Sequence, residues 1–491
     1  MNGKKLTAIV LAAVMLLSLA ACSTKTETQT GTESYSADTS FTFSDSGIEA
    51  TGKTEGYEAD GTALTINSAG TYLLTGECSD GNVKVKKGTT GVTLILDGLE
   101  LESGDTAPIV CGKSTEVTIL AAEGSVNVLS DTAANNDEEN TDNQNAENAV
   151  IKCKDGSQVI LSGSGELTIN ANGKNGIKSG ATTDTEGEAS LTIKELTLNI
   201  NASVNDAINA EQTLNIESGN LTLSAEDDAV HCDYALNIGD DGTDGPTLAI
   251  TKSEEGIEAA ELNVLSGDIT VISSDDCLNA ANSDLENYDF VINISGGSIF
   301  ASTTDGDGFD SNGALNISGG TIAVWTANRA DNQPLDAETT LNITGGTVLA
   351  AGASVGSSLN ISAQQAYVTF GSDSGTGGSS IISQGDTVSI KNADGSELFS
   401  ATAECNVSFV LFSSPDLSEG DSVSIGSDSG SAATATAQTG TASVGGGAGG
   451  DMGGGDMGAN GMGGDPGDMQ KPDAKPEGGG QPSDGNPPDR P

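Results

Sequence analysis

LNIESGNLTL, residues 214–223, decides the architecture because it returns as LNVLSGDITV (262–271), INISGGSIFA (292–301), LNISGGTIAV (315–324) and LNITGGTVLA (341–350). Each copy is an apolar-polar-apolar alternation, a corner carrying one or two glycines, and a second alternation. A period of two places every other side chain on one face, the signature of a β-strand, and glycine supplies the corner. A second motif alternates with the first: a large apolar residue, any residue, then a small one. It occurs at Ile109-Val110-Cys111, Ile151-Lys152-Cys153, Ile177-Lys178-Ser179, Ile208-Asn209-Ala210, Val230-His231-Cys232, Ile257-Glu258-Ala259, Leu278-Asn279-Ala280, Phe309-Asp310-Ser311 and Leu335-Asp336-Ala337. Successive small residues stand 21 to 42 positions apart, so the shortest repeating unit is about 21 residues and the excess is loop.

A unit that short, built of strands and corners without a helical stretch, buries its apolar face only by stacking on its neighbours. The sequence therefore predicts an all-β fold, a parallel β-helix or solenoid. Its rungs would lie about 4.8 Å apart, with like residues forming ladders along the axis. The Asn of each Leu-Asn-Ile reads as one such ladder or corner residue. This body should span residues 57–364, with 57–130 capping it and supplying the first rungs. An acidic, Asn-rich stretch at 131–148 reads as an exposed loop. Residues 365–428 read as antiparallel strands and hairpins that close the far end and blunt its open edge, giving β caps at both ends.

The two termini are of another character. Lys4 and Lys5, an apolar run from Leu6 to Leu19, and Leu19-Ala20-Ala21-Cys22 make a lipoprotein signal peptide of residues 1–21, with Cys22 as the lipidation site. The apolar run falls short of the roughly 20 residues a membrane span requires. The mature chain is thus expected to be exported and held by acyl chains at the outer face of the cell membrane. Residues 22–56 read as a flexible tether, small and polar at their start. Residues 429–491, rich in Gly, Pro, Asp and Met from about Gly445, read as a disordered tail.

The chain carries 19 Lys+Arg against 71 Asp+Glu, a formal charge of −52. Phosphate binding rests on basic residues, so nucleic acid is excluded as a partner and divalent cations are favoured. The acids also fall at fixed places in the repeat. Just before the apolar-x-small motif stand Asn205-Asp206, Asp227-Asp228, Glu254-Glu255, Asp275-Asp276, and Asp305 with Asp307; just after its apolar residue come Glu258, Asp310 and Asp336. Two carboxylates at rung spacing, about 4.8 Å, repel by about 0.9 kcal/mol in water and roughly 3.5 kcal/mol at an effective dielectric of 20. The side chains could swing into solvent, some could hold a proton, or cations could sit between them. Oxygen-only anionic ligands suit Ca²⁺, so Asp206, Asp227, Asp228, Glu254, Glu255, Asp275, Asp276, Asp305, Asp307 and Asp310 are the candidate metal ligands. A solvated acidic edge is the alternative.

Catalytic groups are scarce. His231 follows two aspartates, but its column holds Lys178, Asn209, Glu258 and Asn279 in other rungs, as a surface position would. Besides Arg490 in the tail, Arg329 is the one arginine. A lyase would need Arg329 or a lysine such as Lys178 as its proton acceptor, and a row of acids resembles a ladder more than a glycosidase pair. Trp325 should point outward beyond Ile322 and Val324, where with Arg329 it could stack on a sugar and hold its carboxylate; the other reading tucks it under a neighbouring loop. Cys111, Cys153 and Cys232 replace Ser or Ala, and Cys277 replaces Gly or Ala, so free buried thiols are expected, with a Cys111–Cys153 bridge as the alternative.

Several stretches resemble the clostridial secreted carbohydrate-binding β-helix proteins, whose fold is similar to that of polysaccharide lyases. They are Gly70-Thr71-Tyr72-Leu73-Leu74-Thr75-Gly76, Val92-Thr93-Leu94-Ile95-Leu96-Asp97-Gly98, Ser125-Val126-Asn127-Val128-Leu129-Ser130-Asp131, the Gly163-Ser164-Gly165-Glu166-Leu167-Thr168 corner, the repeated acid-acid-small-apolar steps and Ser413-Ser414-Pro415-Asp416-Leu417. The resemblance covers about residues 57–428. It implies a right-handed helix, calcium between rungs, and binding to cellulose or polygalacturonate without catalysis. The chain departs from it where several family rungs carry Asp-Gly: here stand Asp206-Ala207, Asp228-Ala229, Glu255-Gly256 and Asp276-Cys277, and the Asn175-Gly176 rung lacks the acid. The expected function is a monomeric, calcium-dependent binder of acidic or cellulosic polysaccharide that does not cut it. The alternatives are a pectin-active lyase or hydrolase, and a structural or adhesive spacer.

Overall fold

A computed structural model describes residues 36–285, 287–329, 332–353, 359–371, 380–430 and 432–444. The segment read as a signal peptide, Cys22, the start of the expected tether and most of the expected tail lie outside the described residues. Those described fall within one compact unit, Met1–Gly447, and contain strands, turns and bends with no helix.

Three long ladders of parallel strands make up most of it. The first runs through Gln158–Gly163, Ser190–Ile193, Thr213–Ile216, the end of Val230–Ile238, the end of Ile257–Val264, Val291–Ile294, Ala314–Ile317 and Thr340–Ile343. The second runs through Val126–Asp131, Glu166–Ala171, Thr197–Ala202, Asn220–Ser224, Thr247–Lys252, Asp268–Ser273, Ser298–Thr303, Thr321–Trp325 and Thr347–Gly352. The third collects the apolar-x-small motifs, from Asn82–Val85 and Ile109–Cys111 through Ala149–Cys153, Asn175–Ser179 and Ile208–Ala210 to Leu278–Ala280 and Phe309–Ser311. It ends on a bridge between Phe309 and Leu335.

Register follows from the alternation. In the first ladder Leu214, Ile216, Leu236, Ile238, Leu262, Ile292, Ile294, Leu315 and Ile317 are all buried, in line, in one continuous apolar core. A one-residue slip would turn every one of them to solvent. The glycine pairs make the corner possible. A Cβ on Gly319 would lie 2.1 Å from the Ser295 carbonyl oxygen of the rung below, and Gly320 takes a φ of +86°. Both demands are met by residues without a side chain.

The asparagines between these core residues form a ladder of their own. The Nδ2 of Asn237 donates to the Oδ1 of Asn215 at 2.9 Å, Asn263 to Asn237 at 3.0 Å, Asn293 to Asn263 at 2.9 Å, Asn316 to Asn293 at 2.9 Å and Asn342 to Asn316 at 2.7 Å. All amides point the same way. Asn293→Ala removes two of these half-buried bonds and is expected to cost about 1–2 kcal/mol in urea unfolding; a loss below the experimental error would show that water replaces them without penalty.

The ends depart from expectation. The tether was placed at 22–56, yet Thr39–Ser44 and Gly47–Gly52 form a hairpin, and Thr39–Ser44 also pairs in parallel with Gly70–Cys78. The cause is Phe41 and Phe43, which alternate in a polar stretch, are buried to 0% and 1% exposure, and cover the core's open end. The ring of Phe41 meets Tyr57 edge-on at 4.7 Å. The 131–148 loop is not freely exposed either. Asn135 and Asn136 are buried, Asn135 donating to Asp131 at 2.8 Å and to the Ala149 carbonyl at 2.9 Å, Asn136 to the Gly173 carbonyl at 2.9 Å.

At the other end, Leu359–Gly371 and Phe409–Ser413 pair antiparallel. Beside them a four-stranded antiparallel sheet orders Glu397–Thr402, Thr387–Asn392, Ser422–Ser427 and Ala432–Thr436. The last of these, with Gln438–Val444, lies beyond residue 428, where the tail was placed. A second core holds Leu349, Val368, Phe370, Val388, Ile390, Val410, Phe412, Val423 and Ile425.

Trp325 belongs to that second core, with 0% exposure, and corrects the expectation of an outward, sugar-stacking ring. It does point away from the first core, as the alternation requires. Leu349 and Phe412 share the same side, so the C-terminal strands lie where solvent was expected.

Candidate cation and carbohydrate site

Two columns of side chains rise along the third ladder. The corner before each strand continues the backbone ladder: the amide of Ala207 donates to the Asp228 carbonyl at 3.1 Å, Ala229 to Glu255 at 3.1 Å, Gly256 to Asp276 at 2.8 Å, Cys277 to Asp307 at 3.1 Å and Gly308 to Gln333 at 2.7 Å. This fixes a corner column of Asp206, Asp228, Glu255, Asp276, Asp307 and Gln333. The strand register fixes a second column of Lys178, Asn209, His231, Glu258, Asn279 and Asp310, continued by Asp336.

Three clusters offer ligand atoms within 4.8 Å of one another: Asp206, Asp227 and Asp228; Asp228, His231 and Glu258; and Asp307, Asp310 and Asp336. Of the ten candidate ligands, the structure thus unites Asp206, Asp227, Asp228, Asp307 and Asp310, together with Glu258 and Asp336 from the neighbouring column. Glu255 and Asp276 stand in the corner column between the clusters. Glu254 and Asp275 are exposed, one residue before the column, and Asp305 turns away to pair with Arg329. The chain has few cations, but Arg329 at this rung and His231 lower down are placed against the acids.

His231 is no ordinary surface position. Its Nδ1 lies 3.0 Å from Asp228 and 3.5 Å from Glu258, and its Nε2 3.1 Å from Asp233. Burial opposes its charge, but the bonds to Asp228 and Asp233 and the nearby Glu258 outweigh burial and push it up to about 11. The imidazolium is the built-in cation of this rung, so this cluster does not suit Ca²⁺. The Asp307 cluster suits it, having oxygen donors alone.

Two amides, which the reading of acidic residues missed, support that fit. Gln333 follows Asp307 in the corner column; its Nε2 donates to Asp336 at 3.1 Å, while its buried Oε1 has no donor. Asn279, next to Asp310 in register, donates to Glu255 at 3.0 Å and also leaves a buried Oδ1 unpaired. A buried carbonyl oxygen without a partner costs about 1–3 kcal/mol, which an oxygen-seeking cation would recover.

Without a cation, protons must take up the repulsion. Burial first, then Asp276, Asp310 and Asp336, push Asp307 up to about 8 although Gln333 donates its backbone amide at 2.6 Å. Burial, then Asp276 and Asp336, push Asp310 to about 7. Burial raises Asp276 to about 6, and also raises Asp206, Asp228 and, with Glu255, Glu258. The folded state therefore holds protons that the unfolded chain, with carboxyls near 4, has released. The stability these protons support is present at low pH and is lost as pH rises toward about 8. In chelator the melting temperature is expected to fall between pH 5 and pH 8, roughly the span between the two states' pKa values, and to fall less with calcium. A chelated protein whose stability rises over that range would contradict the buried carboxyls.

The described cysteines are unbridged. Cys78, Cys111, Cys153, Cys232 and Cys277 are buried and Cys405 is half-buried; Cys111 and Cys153 are register partners. The Cys153 thiol beside it and burial together hold the Cys111 thiol protonated.

The family described as carbohydrate-binding domain-containing protein matches residues 60–260. A curated relative of the same description from Acetivibrio thermocellus is 32% identical over 181 residues, which cover 36% of this chain. The chain spans 60% of that relative's length. A solved structure of a polysaccharide lyase-like protein from C. thermocellum, a gadolinium derivative, is similar at a TM-score of 0.36 and 22% identity, covering 62% of this chain and 96% of that one. The resemblance to a carbohydrate-binding family drawn from the motifs thus holds for residues 60–260. That segment contains the Asp206 and His231 clusters; the Asp307 cluster lies beyond it.

Proposed function

We propose that this chain is an exported lipoprotein, anchored through Cys22, whose three ladders wind as a right-handed parallel β-helix. It holds Ca²⁺ in its acidic columns and binds polysaccharide, polygalacturonate or cellulose, without cleaving it. The single observation that carries the reading is the Asp307, Asp310 and Asp336 cluster within 4.8 Å, next to the unpaired oxygen of Gln333. The Asp206, Asp227 and Asp228 cluster is the second candidate for an ion. A Ca²⁺ ion there supplies positive charge between protein carboxylates and leaves coordination positions for the carboxylates or hydroxyls of a sugar.

Binding is favoured over cleavage by the state of the three basic groups that the sequence offered as proton acceptors. Both nitrogens of His231 face carboxylates, Arg329 is paired with Asp305, and Lys178 lies 3.1 Å from Glu211. A proton acceptor must be neutral and must face substrate. The test is retention of the purified chain on polygalacturonate and cellulose, across a calcium titration and in chelator. Retention that depends on calcium, with no release of unsaturated or reducing products, supports the reading; no retention on either polymer overturns it, and product release replaces it with a lyase or hydrolase.

A further inference from the structure

Toward the N-terminal end, the strand column that carries His231, Glu258 and Asp310 changes sign. Its members in register are Lys84, Val110, Lys152, Lys178 and Asn209. Lys152 and Lys178 are direct Cα partners on adjacent rungs, a separation of about 4.8 Å. Their neighbours along each strand, Ile151, Cys153, Ile177 and Ser179, point into the core and are buried. Stacking two ammonium groups in a chain with 19 cations and a net charge of −52 is not what solubility or general charge balance would produce.

Lys178 is paired with Glu211 at 3.1 Å, but Lys152 is not neutralised from within. Lys152 is half-buried and makes no ion pair or hydrogen bond among the described residues. Glu147 is engaged by Lys154 at 2.7 Å, and Glu211 by Lys178 at 3.1 Å. Burial first, then Lys178, pull the Lys152 ammonium below its usual range, with Glu211 and Glu147 opposing. The half-buried Lys152 ammonium, beside a second one, therefore has no anion in direct contact.

We propose that Lys152 and Lys178 form an anion subsite that takes a carboxylate of an acidic polysaccharide, on the same column whose far end holds the calcium ligands. This rests on the proposed polysaccharide binding and names the part of the chain that reads its charge. The column then recognises a polyuronate in two ways. Carboxylates reach lysine directly on the rungs of Lys152 and Lys178, and reach the acids through Ca²⁺ on the rungs above. Five rungs separate Lys178 from Asp310, about 24 Å at strand spacing, so one extended chain would touch both. A neutral glucan has no charge to offer the lysines.

The experiment uses the full chain and its Lys152→Gln and Lys178→Gln variants, singly and together, with Lys152→Arg as the charge-conserving control. Each is checked for unchanged melting temperature and unchanged calcium uptake. Affinity is then measured for polygalacturonate and for cellulose at fixed calcium. The double variant is expected to lose about tenfold or more for polygalacturonate, with weaker salt dependence, while cellulose binding stays as it was and Lys152→Arg recovers most of the loss. Equal affinity of the wild type and the double variant for polygalacturonate would overturn the subsite and leave the proposed function standing. Wild type that binds cellulose but not polygalacturonate would also overturn the subsite alone. Wild type that binds neither would overturn both.

Discussion

Trp325→Ala is expected to cost about 3–5 kcal/mol in urea or thermal unfolding, while the proposed polysaccharide binding of whatever folds is unchanged. The ring is fully buried among the apolar residues that join the parallel ladders to the C-terminal strands. Its removal leaves a large cavity in the core that also holds Leu349, Val368 and Phe412. The indole nitrogen is buried without an acceptor, so the ring is held by packing alone. A sugar-stacking tryptophan would give the reverse: a stable variant with weakened binding. That result would return Trp325 to the surface.

Asp307→Asn with Asp310→Asn is expected to change the sign of its effect with the medium. In chelator the double variant should be as stable as wild type or more so, because two half-buried carboxyls beside Asp276 and Asp336 have become neutral amides. In saturating calcium it should be the less stable. Wild type gains about 4 kcal/mol when free calcium is about a thousandfold above its Kd, and the variant gains little from this cluster. Urea midpoints in the two media measure both arms. Curves for variant and wild type that stay parallel in both media would show that no ion sits among Asp307, Asp310 and Asp336.

The repeats carried the strand pattern and its register, because a two-residue period leaves no freedom once Leu214 and Ile216 must face the core. The asparagine ladder was legible for the same reason. What escaped was set by contacts between distant parts of the chain. Phe41 and Phe43 stand alone in a polar stretch, and nothing local says that an open core waits for them. The alternation put Trp325 outside the first core, and the second core that buries it comes from residues 349–425. In the acidic columns, charge pointed to the carboxylates but not to Gln333 and Asn279. Their unpaired oxygens are visible only when every other partner is placed. His231 looked like a surface variant because its column varies, whereas the variation is itself the device: each rung balances its acids with an ion pair, an amide or a proton.

The aromatic lid of residues 36–56 has a bearing on assembly. Beneath it lies a cross-section of the stack, with Leu64, Tyr72 and Leu74 at its heart and a strand edge, Gly70–Cys78, that Thr39–Ser44 now pairs. Truncation at residue 57 would bare a template onto which other chains can dock, so the shortened protein is expected to sediment as open-ended fibres where the intact one runs as discrete particles. On that outcome, two phenylalanines would be the terminator of polymerisation.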